Sequence, residues 1–375
     1  MNQDGLILAL ESKVEKVHTQ SLDLSFNELL DMFKDGELDI NPDYQRLFRW
    51  SQGAQSRFIE SLLLEMPVPP IYVVEDENGK YQLIDGLQRF SSYLHLRGEL
   101  EALHLADPVR KGDYLRLQEC DIVDDLNGLL FDDFPTALKI RLKRAFVRVE
   151  VVRKGSDNKF RYHMFKRLNT GGEALTSQQL RNCTIRMLDS KFIDFVIRLS
   201  KKPDFVLCIG KISEQQKLGA FDQELVIRFL ALKNYKQKFV HDVSDFLTEY
   251  TEKVTDPDDL DVIFDYPGEE LAFDKTFAIL SRCLGDRSFG RWGRQGIQSN
   301  FSVYHFEAIS VGLQPYLEKI DVLDANQVSL IKAKLVGIKA DAEFMVHTTG
   351  GGKNSPGPLN SRIRIVLDKL AELDL

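Results

Sequence analysis

The spacing of apolar side chains predicts two helices and a short strand in the first part of the chain. Residues 23–35 have apolar side chains at helical spacing, with Ser25 as the predicted N-cap and Gly36 at the predicted end. Residues 52–65 repeat the helical spacing, and residues 38–40 between the two helices predict a short strand. The chain therefore begins with mixed helix and strand.

β-Branched and aromatic residues predict a hairpin in the following segment. Ile71–Val74 and Tyr81–Ile84 are the predicted strands, and Asn78-Gly79 between them is typical of a two-residue hairpin turn. Asp85-Gly86 ends the second strand, and residues 88–96 have helical spacing. This part of the sequence predicts a strand, a tight glycine turn and a helix in direct succession.

The remaining pattern changes from mixed to mainly helical. Alternating apolar and charged side chains over residues 145–152 predict a further strand. Residues 159–168 and 177–187 have helical spacing, and Thr176 is the predicted N-cap of the second of these helices. From residue 188 onward the pattern is mostly helical, with three interruptions by polar and glycine-containing segments.

Length and composition are those of a folded protein with more than one domain. The chain has 375 residues, of which 43% are hydrophobic and 28% are charged. Domains mostly contain about 100–200 residues. We therefore expect an α+β fold class, with an α+β domain over residues 20–187 followed by a mainly α-helical domain over residues 188–375.

Two classes of protein are disfavoured by the sequence. The chain lacks the run of about 18 apolar residues that predicts a membrane helix, and its first residues lack the features of a secretory signal. We therefore expect a cytoplasmic protein with no membrane partner. The cysteines form no Cys-x-x-Cys pair, which argues against a zinc site or a disulfide framework and favours four buried thiols: Cys120, Cys183, Cys208 and Cys283.

The net charge of −8 is unevenly distributed. Residues 139–186 contain thirteen basic and three acidic side chains, whereas residues 252–274 are strongly acidic. The basic segment either binds phosphates, including those of DNA, or forms an ordinary solvated surface, and both interpretations stay open. For the acidic segment we expect an ordinary solvated surface.

The segment from Ile84 to Arg89 carries the first chemical motif. Gly86 at a strand-to-helix turn allows close approach of a ligand to the backbone, and the amides that follow it favour phosphate binding. Arg89 can add a bidentate phosphate contact, and Asp85 can hold Mg²⁺ or orient an arginine. The alternative is a purely structural turn in which Asp85 is the N-cap of the helix.

Two further motifs accompany this turn. Gln45 and Arg46 end the segment Asn-Pro-Asp-Tyr-Gln-Arg, and Asn169 and Thr170 lie in Arg-Leu-Asn-Thr-Gly-Gly. Each has a structural alternative, because Arg46 can form a surface ion pair and the glycine pair can end one helix before another begins.

In this order, the three motifs resemble the N-terminal domain of GmrSD-type restriction proteins over residues 23–187, a family similar in fold to ParB and sulfiredoxin. The resemblance implies binding and hydrolysis of a nucleoside triphosphate with Mg²⁺. It implies catalytic roles for Asp85, Gln88 and Arg89. The implied nucleotide- or phosphate-binding residues are Gln45, Arg46, Gly86, Asn169 and Thr170. No residue is assigned as a ligand of a metal site built by the protein alone.

The chain departs from the family pattern at Leu87, which replaces the first glutamine of the Asp-Gly-Gln-Gln-Arg motif. A leucine side chain forms no hydrogen bonds, so the resemblance leaves hydrolysis open. The sequence also contains no recognisable His-Asn-His nuclease motif, which larger family members carry. We therefore expect any nuclease activity to reside in a partner chain.

Three functions stay open at the level of sequence. The first is a nucleotide-binding module of a bacterial restriction or anti-phage defence system. The second is a non-catalytic ParB-like protein that binds DNA through residues 139–186. The third is a structural protein whose acidic residues 252–274 bind a basic partner. The oligomeric state also stays open.

Overall fold

The computed structural model describes residues 18–40, 48–76, 78–105, 107–154, 156, 176–240, 242–256, 259 and 262–373, together with Ile7, Glu11, Met164 and Arg167; for residues 187 and 188 it describes the backbone only. The chain divides into two compact units, residues 1–175 and residues 176–375. The predicted helix over residues 159–168 lies almost entirely outside the described residues.

The described elements of the first unit combine a sheet with helices. They are β1 (Thr19–Ser25), α1 (Phe26–Lys34), β2 (Leu38–Asp39), α2 (Gln52–Leu63), β3 (Ile71–Glu75), β4 (Tyr81–Asp85), α3 (Leu87–Leu96), α4 (Thr136–Arg144) and β5 (Phe146–Val152). The strand order is β1-β5-β3-β4-β2. The outer pair β1–β5 and the hairpin β3–β4 are antiparallel, whereas β3–β5 and β2–β4 are parallel. This mixed sheet and its helices agree with the expected α+β fold class.

Side chains alternate between a buried and an exposed face along most of β5. Val147, Val149 and Val151 are buried, whereas Arg148 between them and Phe146 before them are exposed. A strand points successive side chains to opposite faces, so the apolar positions predicted from the sequence enter the core together.

Aromatic side chains connect the three helices α1, α2 and α3. The ring of Phe26 lies 5.7 Å from that of Phe58 and 5.4 Å from that of Tyr93, measured between centroids. Phe26 and Tyr93 are fully buried. The helix that follows the glycine turn is therefore fixed by packing on its far side, which leaves its N-terminus in a defined place relative to the sheet.

Two local predictions for this unit were wrong in detail. Residues 23–25 were predicted as helix but belong to β1, an edge strand with a mostly polar sequence; Ser25 is nevertheless the N-cap of α1, accepting a hydrogen bond from the amide of Glu28 at 3.0 Å. The β3–β4 connection is longer than a two-residue turn and spans residues 76–80. The Asp76 carboxylate accepts from two amides of this loop, which stabilises the longer turn.

The second unit is mainly helical in its described part. Its elements are α5 (Ser177–Leu188), α6 (Ser190–Ser200), α7 (Pro203–Cys208), α8 (Glu214–Leu218), α9 (Phe221–Asn234), α10 (Val243–Thr255), α11 (Tyr266–Leu284), β6 (Trp292–Gly293), β7 (Gly296–Ile297), α12 (Val303–Gly312), α13 (Ala325–Ala340), α14 (Ala342–Thr348) and α15 (Pro356–Ala371). Strands β6 and β7 form a short antiparallel hairpin.

The structure divides the chain one helix earlier than the predicted boundary between residues 187 and 188. Side chains of α5 explain the difference. Arg181 donates hydrogen bonds to Glu224 and Ser244, and Asn182 donates to Gln223, all of them residues of the second unit. These polar contacts have a long sequence separation, which a reading of local periodicity does not detect.

All four cysteines are buried thiols outside any disulfide bond, as predicted: Cys120, Cys183, Cys208 and Cys283. Burial raises the pKa of the Cys120 thiol to about 11 and that of Cys208 to about 12, so both are protonated at neutral pH.

None of the helices in the described ranges combines the length and apolar composition needed to cross a membrane.

Candidate functional site

The turn between β4 and α3 is built around Gly86. Strand β4 ends at Asp85 and α3 begins at Leu87, with Gly86 as the N-cap at φ +103°. A Cβ atom at this position would lie 2.7 Å from Cγ1 of Ile71, whose side chain is buried in β3. Backbone conformation and available space therefore both require glycine here, as the sequence pattern predicted.

Asp85 and Arg89 form an ion pair on the two sides of this turn. Nη2 of Arg89 donates to Oδ2 of Asp85 at 2.8 Å and to the backbone oxygen of Pro70 at 3.1 Å. Asp85 belongs to β4 and Gly86 is the N-cap, so Asp85 orients Arg89 and does not cap α3. The first motif therefore brings a carboxylate, a guanidinium and a helix N-terminus together.

Only some of the nitrogens of the Arg89 guanidinium have hydrogen-bond partners among the described residues. Its side chain is 16% exposed, and its Nε is buried with no hydrogen-bond partner among the described residues. A buried donor without a partner costs about 1–3 kcal/mol, so the contacts among the described residues do not fully satisfy Arg89. An arginine fixed by a carboxylate on one side is suited to receive an anion on its other donors.

Gln88 contacts the backbone of the segment that precedes α2. Its Oε1 accepts hydrogen bonds from the backbone amides of Arg49 at 3.0 Å and Trp50 at 3.1 Å. A side-chain oxygen engaged by two amides anchors the backbone of residues 49–50 to α3. Gln88 is therefore placed to position the segment that follows Gln45 and Arg46.

Three side chains that sequence analysis missed complete this anchor. His104 binds the backbone oxygen of Phe48 through Nε2 at 3.0 Å, and Nε2 of Gln55 donates to the backbone oxygen of Trp50 at 2.8 Å. Nδ1 of His95 lies 2.7 Å from Oε1 of Gln55, and because that oxygen only accepts, the imidazole is the donor. Burial lowers the pKa of His95 to about 4, so the ring is neutral at pH 7.

Leu87, the departure from the family pattern, is a core residue. It occupies the first position of α3 and is 3% exposed. Its side chain contributes apolar packing, whereas the polar groups at this turn belong to Asp85, Gln88 and Arg89.

The other predicted site residues, Gln45, Arg46, Asn169 and Thr170, lie outside the described residues. The described residues before and after 41–47 are bonded to β4 and α3, the two elements that meet at the glycine turn. Strand β2 pairs with β4 through Leu38 and Tyr81, and residues 48–50 are bonded to α3 as given above.

Several of the described basic residues of the segment 139–186 are paired or buried. Arg148 pairs with Asp23, Arg153 pairs with Glu75, and Arg181 is buried in the second unit at 2% exposure. These ion pairs reduce the charge offered to a DNA backbone by this segment. Among the described residues, no group of three or more His, Cys, Asp or Glu side chains is arranged to hold a metal ion.

The acidic segment 252–274 forms ion pairs within the second unit. Glu269 binds Lys233, Glu270 binds Lys202, and Asp274 also binds Lys202. Residues of this segment therefore contribute to ordinary ion pairing in the helical unit.

Replacing Gly86 with alanine is expected to destabilise the protein more than the same change at Gly36. Both glycines have positive φ, at +103° and +72°, but a Cβ at Gly36 meets nothing within 4 Å. The strained backbone alone costs about 1–3 kcal/mol, and Gly86→Ala adds the contact with Ile71. Urea unfolding of both variants measures the difference; equal losses would show that the contact with Ile71 relaxes at no cost.

Comparison with known families adds one finding to this geometry. Residues 26–186 match the family model described as GmrSD restriction endonuclease, N-terminal domain. The match covers less than half of the chain but spans all three motifs, from residue 41 to residue 172, and the complete β4–α3 turn. A search among curated proteins found no match.

Proposed function

We propose, on the premise that residues 26–186 belong to the N-terminal domain family of GmrSD restriction systems, that this chain binds a nucleoside triphosphate at the β4–α3 turn. The proposal includes a ParB- and sulfiredoxin-like fold for the first unit. The chain would act as a nucleotide-dependent sensor or regulator in bacterial restriction or anti-phage defence, with the nuclease on another chain. A cytoplasmic location belongs to the same proposal.

The observation that carries the proposal is the incompletely bonded Arg89 beside a helix N-terminus. Nη2 of Arg89 is fixed by Asp85 and Pro70, whereas its buried Nε has no partner among the described residues. The first amides of α3 follow Gly86, which supplies no side-chain cap. The amides at a helix N-terminus and the helix dipole attract an anion, and the guanidinium of Arg89 beside them would add charge-assisted hydrogen bonds to a phosphate.

The residues present also fit a magnesium–nucleotide complex. Mg²⁺ binds to proteins through one or two carboxylates and completes its coordination with waters and substrate phosphates. Asp85, 31% exposed at the end of β4, would supply such a carboxylate. The Mg²⁺ would neutralise charge on the phosphates, and the chain's own part is to orient Arg89 through Asp85.

The roles of the remaining motif residues follow from where the chain next to them is bonded. Gln45 and Arg46 would contact phosphate, since the chain on both sides of them is bonded to β4 and α3. Gln88 is a positioning residue in this scheme, because its oxygen holds the amides of Arg49 and Trp50. Asn169 and Thr170 are retained as phosphate contacts on the strength of the motif alone.

Arg89→Ala is expected to abolish stabilisation by nucleotide. A ligand at a hundredfold excess over its Kd stabilises a protein by about 2.7 kcal/mol, which a thermal shift detects. The experiment compares ATP, GTP, CTP and UTP with Mg²⁺ on the wild type, on Arg89→Ala and on Arg57→Ala. Arg57 is a matched control in the same unit, since its side chain is 42% exposed and pairs with Glu119.

The outcomes separate binding from turnover. Stabilisation of the wild type and of Arg57→Ala, but not of Arg89→Ala, supports the site. Phosphate release by the wild type under the same conditions would add hydrolysis despite Leu87. If none of the four nucleotides stabilises the wild type, or if Arg89→Ala responds equally, the proposed site is wrong.

A further inference from the structure

A groove on the first unit lies apart from the β4–α3 turn. It has a volume of about 780 Å³ and is bordered by α4, the chain that follows α2, and the start of β5. We call it the α4 groove. Three large apolar side chains that line it are exposed: Met66 at 46%, Ile140 at 44% and Phe146 at 68%.

The secondary structure explains why these side chains converge. Ala137, Ile140 and Arg144 recur at helical spacing and place one face of α4 along the groove. Phe146 begins β5 on the strand face opposite to the buried valines. Phe146 is the most exposed of these groups, and a cluster of exposed apolar side chains in one concave surface marks an interaction site more often than scattered ones do.

Basic side chains surround the apolar floor. Arg141 pairs with Glu65 and Arg148 pairs with Asp23, so these two charges are partly neutralised. Arg144 is exposed, lines the groove, and forms no hydrogen bond or ion pair within the described part of the chain. Helix α4 carries four basic residues and no acidic ones, so the uncompensated charge at this groove is positive.

The lining favours a polypeptide over a nucleic acid. Most of the residues that line the groove are apolar, and binding of a phosphate backbone depends on several basic side chains, of which Arg144 alone in this lining has no acidic partner among the described residues. Met, Phe and Arg together are the side chains that are enriched in protein interfaces. A peptide with both an apolar and an acidic side chain complements this surface, whereas phosphates complement only its arginines.

We propose that the α4 groove binds an acidic segment of a partner protein. This segment would insert a large apolar side chain among Met66, Ile140 and Phe146, and present a neighbouring carboxylate to Arg144. Proteins bind peptides both by taking up apolar side chains in a groove and by pairing acidic side chains with arginine. This partner would use both kinds of contact. The proposal does not depend on nucleotide binding at the glycine turn.

The test is selection of a random peptide library on the full chain, followed by anisotropy titration of the enriched peptides. We expect enriched peptides that pair a large apolar residue with Asp or Glu. Phe146→Ser and Arg144→Glu are each expected to weaken binding at least about tenfold, as loss of a central interface contact does. Ile122→Ser is the matched control, because Ile122 is an equally exposed apolar residue of the same unit, at 59%.

A charge-reversed peptide and a folding control make the result more specific. A peptide whose acidic residue is replaced by lysine should recover binding to Arg144→Glu and lose it to the wild type. Both groove variants change exposed side chains, so their thermal unfolding should match that of the wild type; if Phe146→Ser fails to fold, Arg144→Glu with the charge-reversed peptide decides alone.

Several outcomes would overturn the proposal. They are the absence of any enriched peptide, enriched peptides without the apolar–acidic pair, and equal binding to the groove variants. Binding of a fluorescent 20-nucleotide oligo-dT strand that the same two variants abolish would assign the groove to nucleic acid instead. A dimer in sedimentation that these variants dissociate would assign it to a second copy of the chain.

Discussion

Glu307→Gln is expected to destabilise the second unit by about 3–5 kcal/mol, the range for breaking a buried ion pair from one side. Glu307 lies in α12 and is 2% exposed. Its Oε1 accepts from Nη1 of Arg228 at 2.6 Å, and its Oε2 accepts from Nη2 of Arg362. The variant leaves two buried guanidinium groups with one fewer negative charge between them.

The surrounding network explains why the loss should be large. Arg228 also binds Glu224 in α9, and Glu224 binds Arg181 in α5, so one chain of charges joins four helices through α15. Three arginines in this network meet two glutamates. Nε of Arg228 and Nε of Arg362 are already buried without a partner among the described residues, so removal of a carboxylate adds to an existing excess of positive charge.

Urea unfolding of Glu307→Gln measures this effect, and Glu318→Gln is its control. Glu318 pairs with Lys275 and its side chain is 79% exposed. An exposed pair contributes about 0–1 kcal/mol, so Glu318→Gln should unfold nearly as the wild type does. Similar losses in the two variants would contradict a special role of the buried network. A double variant of Glu307→Gln with Arg362→Gln should lose less than the sum of the single losses, since both act on one contact.

The glycine turn was predictable from sequence because its determinants are local. Apolar and aromatic residues before Asp85, a glycine after it and helical spacing from Gln88 onward are all contained in residues 81–96, and the structure places β4, the N-cap and α3 there. The ion pair joins Asp85, the last residue of β4, to Arg89 in the first turn of α3, four residues later. This contact is local in sequence, and it depends on the turn at Gly86 as well as on α3.

Features that depend on distant residues could not be predicted in the same way. Strand β1 has a mostly polar sequence, and its pairing with β5 joins residues such as Leu22 and Val149 across the length of the unit. The contact of Gln88 with the amides of Arg49 and Trp50 is likewise non-local. Periodicity identifies which face of an element is apolar, but not which backbone a polar side chain will reach.

The same limit applies to charge. Counting residues 139–186 predicted a strongly basic segment, yet the structure divides that segment between two units. Arg181 became part of a buried network with Glu224, whereas Arg144 stays exposed on α4. Composition therefore indicated how much charge was present, and the fold decided which charges are available to a partner.

The buried side chain of Lys339 is expected to make the free energy of unfolding depend strongly on pH. It lies in α13, is fully buried, and its Nζ donates to the backbone oxygens of Ser288 at 2.8 Å and Gly290 at 2.9 Å. The same nitrogen lies 3.3 Å from Nδ1 of His305. Burial lowers the pKa of Lys339 from 10.5 to about 7, and burial also holds the pKa of His305 well below its usual value.

The sign follows from proton binding. Between pH 7 and 10.5 the unfolded chain keeps the proton on Lys339 whereas the folded chain has released it, so the contribution of Lys339 to the free energy of unfolding rises with pH in that window. A single group contributes a slope of up to about 1.4 kcal/mol per pH unit. Other buried groups oppose this contribution, because burial raises their pKa in the folded state: the thiols of Cys120, Cys208 and Cys283 do so above the ordinary thiol pKa, and Tyr250 does so above that of tyrosine. The comparison with a Lys339 variant isolates the lysine, because these groups are common to both proteins.

Urea unfolding between pH 7 and about 9.5, below the ordinary tyrosine pKa, therefore compares the wild type with Lys339→Met and Lys332→Met. We expect the wild type to gain stability relative to Lys339→Met by about 1 kcal/mol per pH unit. Lys332→Met should keep the wild-type slope, because Lys332 is an exposed residue of the same helix. Parallel pH profiles for the wild type and Lys339→Met would mean that Lys339 keeps its proton when buried. The two backbone oxygens and His305 would then have to stabilise a full charge inside the helical unit.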